Sequence, residues 1–179
     1  RMIGQHLTEA LGKPAVVDNR PGADGNIAAE IVAKSPPDGY TLLVTPNAVA
    51  ISTALYRKMT YDLVRELSPI SLMVSIPNLL LVHPSVPAGT LKELIDLARS
   101  KPGQLPFASS GVGTTPYMGM ALLMSTAGIR MIHVPFKGSG PAVTATLGGE
   151  TQLMFGDISS TAQHAKAGKL RVLAISSAR

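Results

Sequence analysis

Apolar residues recur along this chain with two alternating spacings, one helical and one suited to short buried strands. Ile3, Leu7, Ala10 and Leu11 lie at helical spacing, and Gly12 supplies a stop. Ala15–Val17 is predicted as a short strand, followed by a turn-rich stretch from Asp18 to Asn26. A helix from about Ile27 to Lys34 ends at Pro36-Pro37-Asp38-Gly39, and Tyr40–Val44 follows as a buried strand. After a polar stretch, the apolar runs Ile70–Ser75 and Asn78–His83 read as strands separated at Pro77.

The second half is more regular. Thr90-Leu91-Lys92-Glu93 has the spacing of a capping box, in which the Thr hydroxyl accepts from the N3 amide and the Glu reaches back. The helix it opens places Leu91, Leu94, Ile95 and Ala98 on one face and stops at Pro102-Gly103. Strands are expected at Leu105–Ala108, Met131–Val134, Gln152–Phe155 and Leu170–Ile175. Helices are expected at Pro116–Ala127, Pro141–Leu147 and Ala162–Lys166. Strands alternating with helices imply an α/β fold with a mainly parallel sheet covered on both faces. Ligands of such sheets bind beyond the strand C-termini. The loops at Thr45, Ser109, Pro135 and Gly156 all fall at that edge.

Composition narrows the function classes. With 45% hydrophobic and 15% charged residues, the 179-residue chain has the make-up of a folded protein of one large or two small domains. The net charge of +5 comes from Lys and Arg scattered along the chain, and aromatics amount to 4% without any Trp. That is a poor platform for stacking nucleic-acid bases, and no nucleic-acid partner is assigned. The absence of Cys removes disulfides, thiol catalysis and thiolate zinc sites. The charge-free stretches Ser71–Leu91 and Pro106–Ile129 carry Pro, Gly and Ser throughout, unlike a membrane span.

The chemistry concentrates in Phe107-Ala108-Ser109-Ser110-Gly111-Val112-Gly113-Thr114-Thr115. A loop of Gly and small hydroxyls between a strand and a helix brings backbone N–H groups close to a guest, and the helix N-terminus favours an anion. The residues point to holding a carboxylate; they also suit an ordinary strand-to-helix turn with a Thr cap. Pro135-Phe136-Lys137-Gly138-Ser139-Gly140-Pro141 is a second loop of this type, where Lys137 is either an anion partner or a solvated surface charge. Gly138-Ser139-Gly140 is only a fragment of a dinucleotide fingerprint. Asp157 follows a strand and suits a ligand hydrogen bond or a helix cap. The four His residues are isolated, so neither metal nor cofactor is assigned. Ser110 lies outside a Gly-x-Ser-x-Gly elbow, and no catalytic residue is assigned.

The run Val17-Asp18-Asn19-Arg20-Pro21-Gly22-Ala23-Asp24-Gly25-Asn26 resembles the Asn-Arg-Pro-Gly-Ala-x-Gly-Asn signature of one family. Pro37–Leu43, Val82–Pro87, His133–Ser139 and Ala167–Arg171 agree with it in order and spacing. On these five stretches the chain is similar to the periplasmic substrate-binding receptors of tripartite tricarboxylate transporters, the Bug-type receptors. The resemblance covers essentially the whole chain.

The resemblance implies a periplasmic-binding-protein type II, Venus-flytrap fold of two mainly parallel-sheet lobes, truncated here at both ends. Residues 1–76 would form part of the first lobe, lacking its first strand, a Pro-Gly-Gly-rich pocket loop and a C-terminal return; residues 77–179 would form the second. A carboxylate would bind between the lobes. Thr45, Asn47 and Ala48 would face it from the first lobe. Ser109, Ser110, Gly111, Gly113, Thr114, Thr115, Phe136, Lys137, Gly138 and Asp157 would do so from the second. The implied function is an extracytoplasmic, monomeric receptor that delivers a small carboxylate to integral membrane permease subunits. The alternatives are a hydrolase-like enzyme using Ser110 with His133 or Asp157, and a carboxylate-sensing module.

Overall fold

The computed structural model describes residues 2–177; Arg1, Ala178 and Arg179, which the expected lobe boundaries include, lie outside the described residues. The chain falls into two compact units that divide between Ser68 and Pro69.

The first unit is helical. It contains α1 (Met2–Leu11), a 3-10 turn (Ala23–Gly25), α2 (Asn26–Ala33), α3 (Ala48–Leu55) and α4 (Leu63–Glu66). Its core is Ala29, Val49 and Tyr61, with Ala33, Leu43, Met59, Leu63 and Leu67 packed around them. The signature turn has a structural role here. Gly25 has φ +93°, and a Cβ on it would stand 3.1 Å from Thr45 Oγ1 and 3.2 Å from Val49 Cγ2, so any other residue would strain the backbone and crowd those two side chains. Asn26 then ties the unit together. Its Nδ2 donates to Ala23 O at 2.7 Å and Ser52 Oγ at 2.8 Å, and its Oδ1 accepts from the Tyr61 hydroxyl at 2.7 Å.

Three expected strands are absent. Ala15–Val17, Tyr40–Val44 and Ile70–Ser75 join no ladder among the described residues. Val16 is 90% exposed and Leu72 85% exposed. Strand propensity alone does not form a strand; the backbone groups need a partner, and these runs find none. Helices α3 and α4 were not expected. Ala48–Leu55 is apolar almost throughout, so it carries little helical periodicity, although Ala48, Val49 and Ser52 form its buried side.

The second unit is an α/β layer structure. Its strands are β1 (Asn78–Val82), β2 (Pro106–Ser109), β3 (Ile132–Pro135), β4 (Leu153–Asp157) and β5 (Arg171–Ile175). Its helices are α5 (Leu91–Ser100), α6 (Thr115–Ala127), α7 (Ser139–Leu147) and α8 (Ile158–Lys166). The sheet order is β3-β2-β4-β1-β5. Strands β3, β2 and β4 are parallel, and β1 runs antiparallel to both β4 and β5, with a register shift between Leu80 and Leu81. Alternation along β1 sends Leu80 and Val82 to one face and Leu79 and Leu81 to the other. Each face has its own core: Leu80, Val82, Leu94, Phe107, Met120 and Leu153 on the α5–α6 side, and Leu79, Leu81, Ala142, Val143 and Met154 on the α7 side.

Two helices begin earlier than expected. Helix α7 starts at Ser139 and accommodates Pro141 in its first turn, where a missing N–H costs no helical bond. Helix α8 starts at Ile158, and Ser160 and Thr161 donate back to the Asp157 carbonyl at 3.0 and 2.7 Å.

Candidate functional site

Three helices start at one edge of the sheet. Parallel β2 and β3 each pass through a short loop into a helix, Ser109 leading to α6 and Pro135 to α7, and β4 passes at Asp157 straight into α8. Their N-termini therefore share the edge beyond the strand C-termini, where partial positive charges add. None of the three N-cap residues, Thr114, Gly138 and Asp157, makes a side-chain cap to its helix. The contrast is with α5, which begins at the opposite edge because β1 runs the other way. There Thr90 Oγ1 accepts from Glu93 N at 3.2 Å, and Glu93 Oε2 accepts from Gly89 N at 2.6 Å. The capping box thus forms with its return bond one residue earlier than the expected Thr90 amide. Within the second unit, then, α5 is closed by side chains, whereas the three helix starts at the other edge carry no side-chain cap.

The loop after β2 is tightly organised. Ser109 is fully buried, and its Oγ lies 2.7 Å from His133 Nε2, 3.1 Å from Gly111 N and 3.1 Å from Gly111 O. Thr114 Oγ1 donates to Gly111 O at 2.7 Å. Gly111 itself has φ +136°, a conformation that side chains resist. The neighbouring loop is stitched on by Phe136 N donating to Ser109 O at 3.0 Å and Gly138 N donating to Ser110 O at 3.3 Å. At β4, Asp157 Oδ2 accepts from Ser139 Oγ at 3.3 Å. The structure therefore gathers Ser109, Ser110, Gly111, Gly113, Thr114, Thr115, Phe136, Lys137, Gly138 and Asp157 on adjoining loops of the second unit.

Their side chains are not equivalent. The Phe136 ring packs against the Leu79–Leu81 core, so it supports the loop. Lys137 is exposed and enters none of the ion pairs found among the described residues. Thr45, Asn47 and Ala48 belong to the first unit: Thr45 and Asn47 are exposed, while Ala48 is a buried first residue of α3.

His133 has a role that its sequence did not announce. Its ring stacks on Phe107, with centroids 4.9 Å apart, and tilts against Tyr117 at 4.7 Å. Burial in this aromatic setting pushes its pKa below the usual histidine value, so the neutral ring is favoured. Its signal was the parallel register, which sets His133 beside Phe107, and such pairing is not readable before strand order is known. Ser139 was likewise missed as the partner of Asp157.

The hydrolase-like arrangement does not form. His133 Nε2 engages Ser109 rather than Ser110, and Ser109 Oγ is sealed in the loop. No group of three or more His, Asp or Glu suited to a metal occurs among the described residues. No helix among them is long and apolar enough to cross a membrane.

The family model described as "Tripartite tricarboxylate transporter family receptor" matches residues 1–179. "Protein BugT" of Bordetella pertussis is 33% identical over 177 residues, covering 98% of this chain and 54% of that protein. The solved structure "R. palustris Rpa4515 with adipate" is 35% identical with a TM-score of 0.84, covering 100% of this chain and 60% of its own. "MatC (Rpa3494) from Rhodopseudomonas palustris with bound malate" is 30% identical with a TM-score of 0.82, covering 100% and 61%. The chain spans about half the length of the curated relatives it matches.

Proposed function

The chain belongs to the tripartite tricarboxylate transporter receptor family, and on that premise we propose that it is part of an extracytoplasmic receptor for a small carboxylate. The whole protein would hand this ligand to the integral membrane permease subunits of its transporter. The observation that carries the reading is the set of three helix N-termini at one sheet edge, each without a side-chain cap. Their amides and dipoles suit a carboxylate, the Ser110 hydroxyl adds a donor that needs no counter-charge, and Thr114, whose hydroxyl donates to Gly111 O, holds the loop in place. The relatives solved with adipate and malate support the ligand class.

On this reading the second lobe contributes the loops after β2 and β3 and the β4–α8 junction at Asp157. Gly111 and Gly113 allow close backbone approach, Thr115 and Gly138 flank the helix starts, and Lys137 adds a distant positive charge. A ligand role for Thr45, Asn47 and Ala48 of the first unit is proposed on the family resemblance alone.

The test is a thermal-shift and calorimetric screen of the full-length protein against small carboxylates, with their amides as controls. A ligand at about 100 times its dissociation constant adds ~2.7 kcal/mol of stability. The expected result is a shift for an acid that its amide does not give, weakened by Ser110→Ala and by Thr114→Ala. Unchanged affinity in both variants would overturn the site, and chemical consumption of the added acid or its esters would overturn the receptor reading.

A further inference from the structure

One buried polar atom at the ligand edge has no partner. Asn78 opens β1 and is 4% exposed, yet its Oδ1 meets no donor. The backbone of Asn78 is satisfied: its N–H donates to Ser176 Oγ and its carbonyl accepts from Ser176 N, both at 2.9 Å. The side-chain oxygen is a buried acceptor without a donor, which is costly.

Its position gives that atom a meaning. In the antiparallel ladder Asn78 stands directly opposite Asp157, so the two side chains project from the same face of the sheet. Alternation along β1 and β4 makes this the face of Leu80, Leu153 and Phe155. Helix α6 covers that face: Gly119, one turn from its N-terminus, packs so closely on Phe155 that a Cβ would sit 3.4 Å from the ring. Asp157 is the next residue of β4 on that side, toward the helix start. The edge thus carries two acceptors on the face that α6 covers: Asn78 Oδ1, and Asp157, whose Oδ2 takes Ser139 Oγ at 3.3 Å and whose other oxygen has no side-chain partner among the bonds described.

We infer that Asn78 and Asp157 form a two-acceptor subsite for a hydrogen-bond donor carried by the ligand. The preferred ligand is then a carboxylate bearing a hydroxyl or ammonium group near its carboxyl end. This inference rests on the carboxylate-receptor reading and narrows it. A plain dicarboxylate satisfies the helix amides and leaves Asn78 Oδ1 unmet; the hydroxy or amino analogue satisfies both. Sites built around buried hydrogen-bonding groups discriminate strongly against ligands that lack the matching group.

The experiment is calorimetry on the full-length protein with matched probes: succinate, malate and aspartate, and the six-carbon pair adipate and 2-hydroxyadipate. The expected result is a preference of at least about tenfold for a donor-bearing acid over its plain analogue, with the hydroxyl and ammonium arms identifying the donor. Asn78→Leu, which keeps the side-chain shape, should collapse that ratio. Asp157→Asn should reduce it, and most for the ammonium probe. Melting curves check that Asn78→Leu folds; if it does not, Asn78→Ser provides the same ratio test. Carboxylate binding with no donor preference, or with a preference that survives both substitutions, overturns the subsite and leaves the receptor reading standing. Failure of every carboxylate in the wider screen overturns both.

Discussion

Ser109 Oγ and His133 Nε2 lie 2.7 Å apart, joining the ends of two adjacent parallel strands just where the loop of small residues begins. The same serine oxygen engages the backbone of Gly111, so the imidazole is one bond removed from the amides that would meet an anion. His133 acts here as a brace for the loop, and its own position is set by Phe107 and Tyr117.

His133→Phe should separate the two parts of that role. It keeps the aromatic packing but leaves the buried Ser109 oxygen without its ring partner, at a cost of about 1–3 kcal/mol. The expected outcome, read by calorimetry and urea unfolding of the full-length protein, is weaker carboxylate binding together with reduced stability. His133→Gln, which restores a polar partner, should recover part of the affinity. Binding by His133→Phe at the native strength would remove the brace.

The depressed pKa of His133 gives a signed pH dependence. The unfolded chain takes up a proton near the ordinary histidine value, whereas the folded protein resists it until lower pH. The stability contribution is therefore present above that ordinary value and is lost as pH falls through the depressed folded pKa. Melting temperatures measured from pH 7.5 to 5 should decline more steeply in the native protein than in His133→Gln. Parallel declines would show that other groups set the profile.

Gly111→Ala is expected to be costly for conformational rather than steric reasons. With φ at +136°, an added Cβ would meet its nearest neighbours, Thr114 Cγ2 and Phe136 O, only at 3.7 and 3.8 Å. The strain of that backbone region is on the order of 1–3 kcal/mol. Gly140→Ala in the first turn of α7, where nothing lies within 4 Å, should change stability little or raise it slightly. Urea unfolding of the two variants makes the comparison, and equal effects would argue against a strained loop.

Thr90→Ala tests the division between the two sheet edges. Losing the cap on α5 should destabilise the protein by ~1 kcal/mol. Carboxylate affinity should stay unchanged, since Thr90 lies at the edge away from the starts of α6, α7 and α8. A loss of affinity at constant fold would contradict that separation.

The sequence by itself determined the alternation of strands and helices from Asn78 onward, the capped start of α5 and the loop of small residues after β2. Each is a local matter, decided by periodicity, a hydroxyl at an N-cap or a glycine's freedom. It also pointed, through five short stretches, to the family that the comparisons show. It misjudged Ala15–Val17, Tyr40–Val44 and Ile70–Ser75, because a strand exists only where another strand accepts its hydrogen bonds. Tertiary structure alone decided that His133 meets Ser109 rather than Ser110, and that Asn78 faces Asp157 across β1 and β4. Those pairings depend on strand order and direction, which join residues far apart in the chain and leave no trace in the spacing of either one.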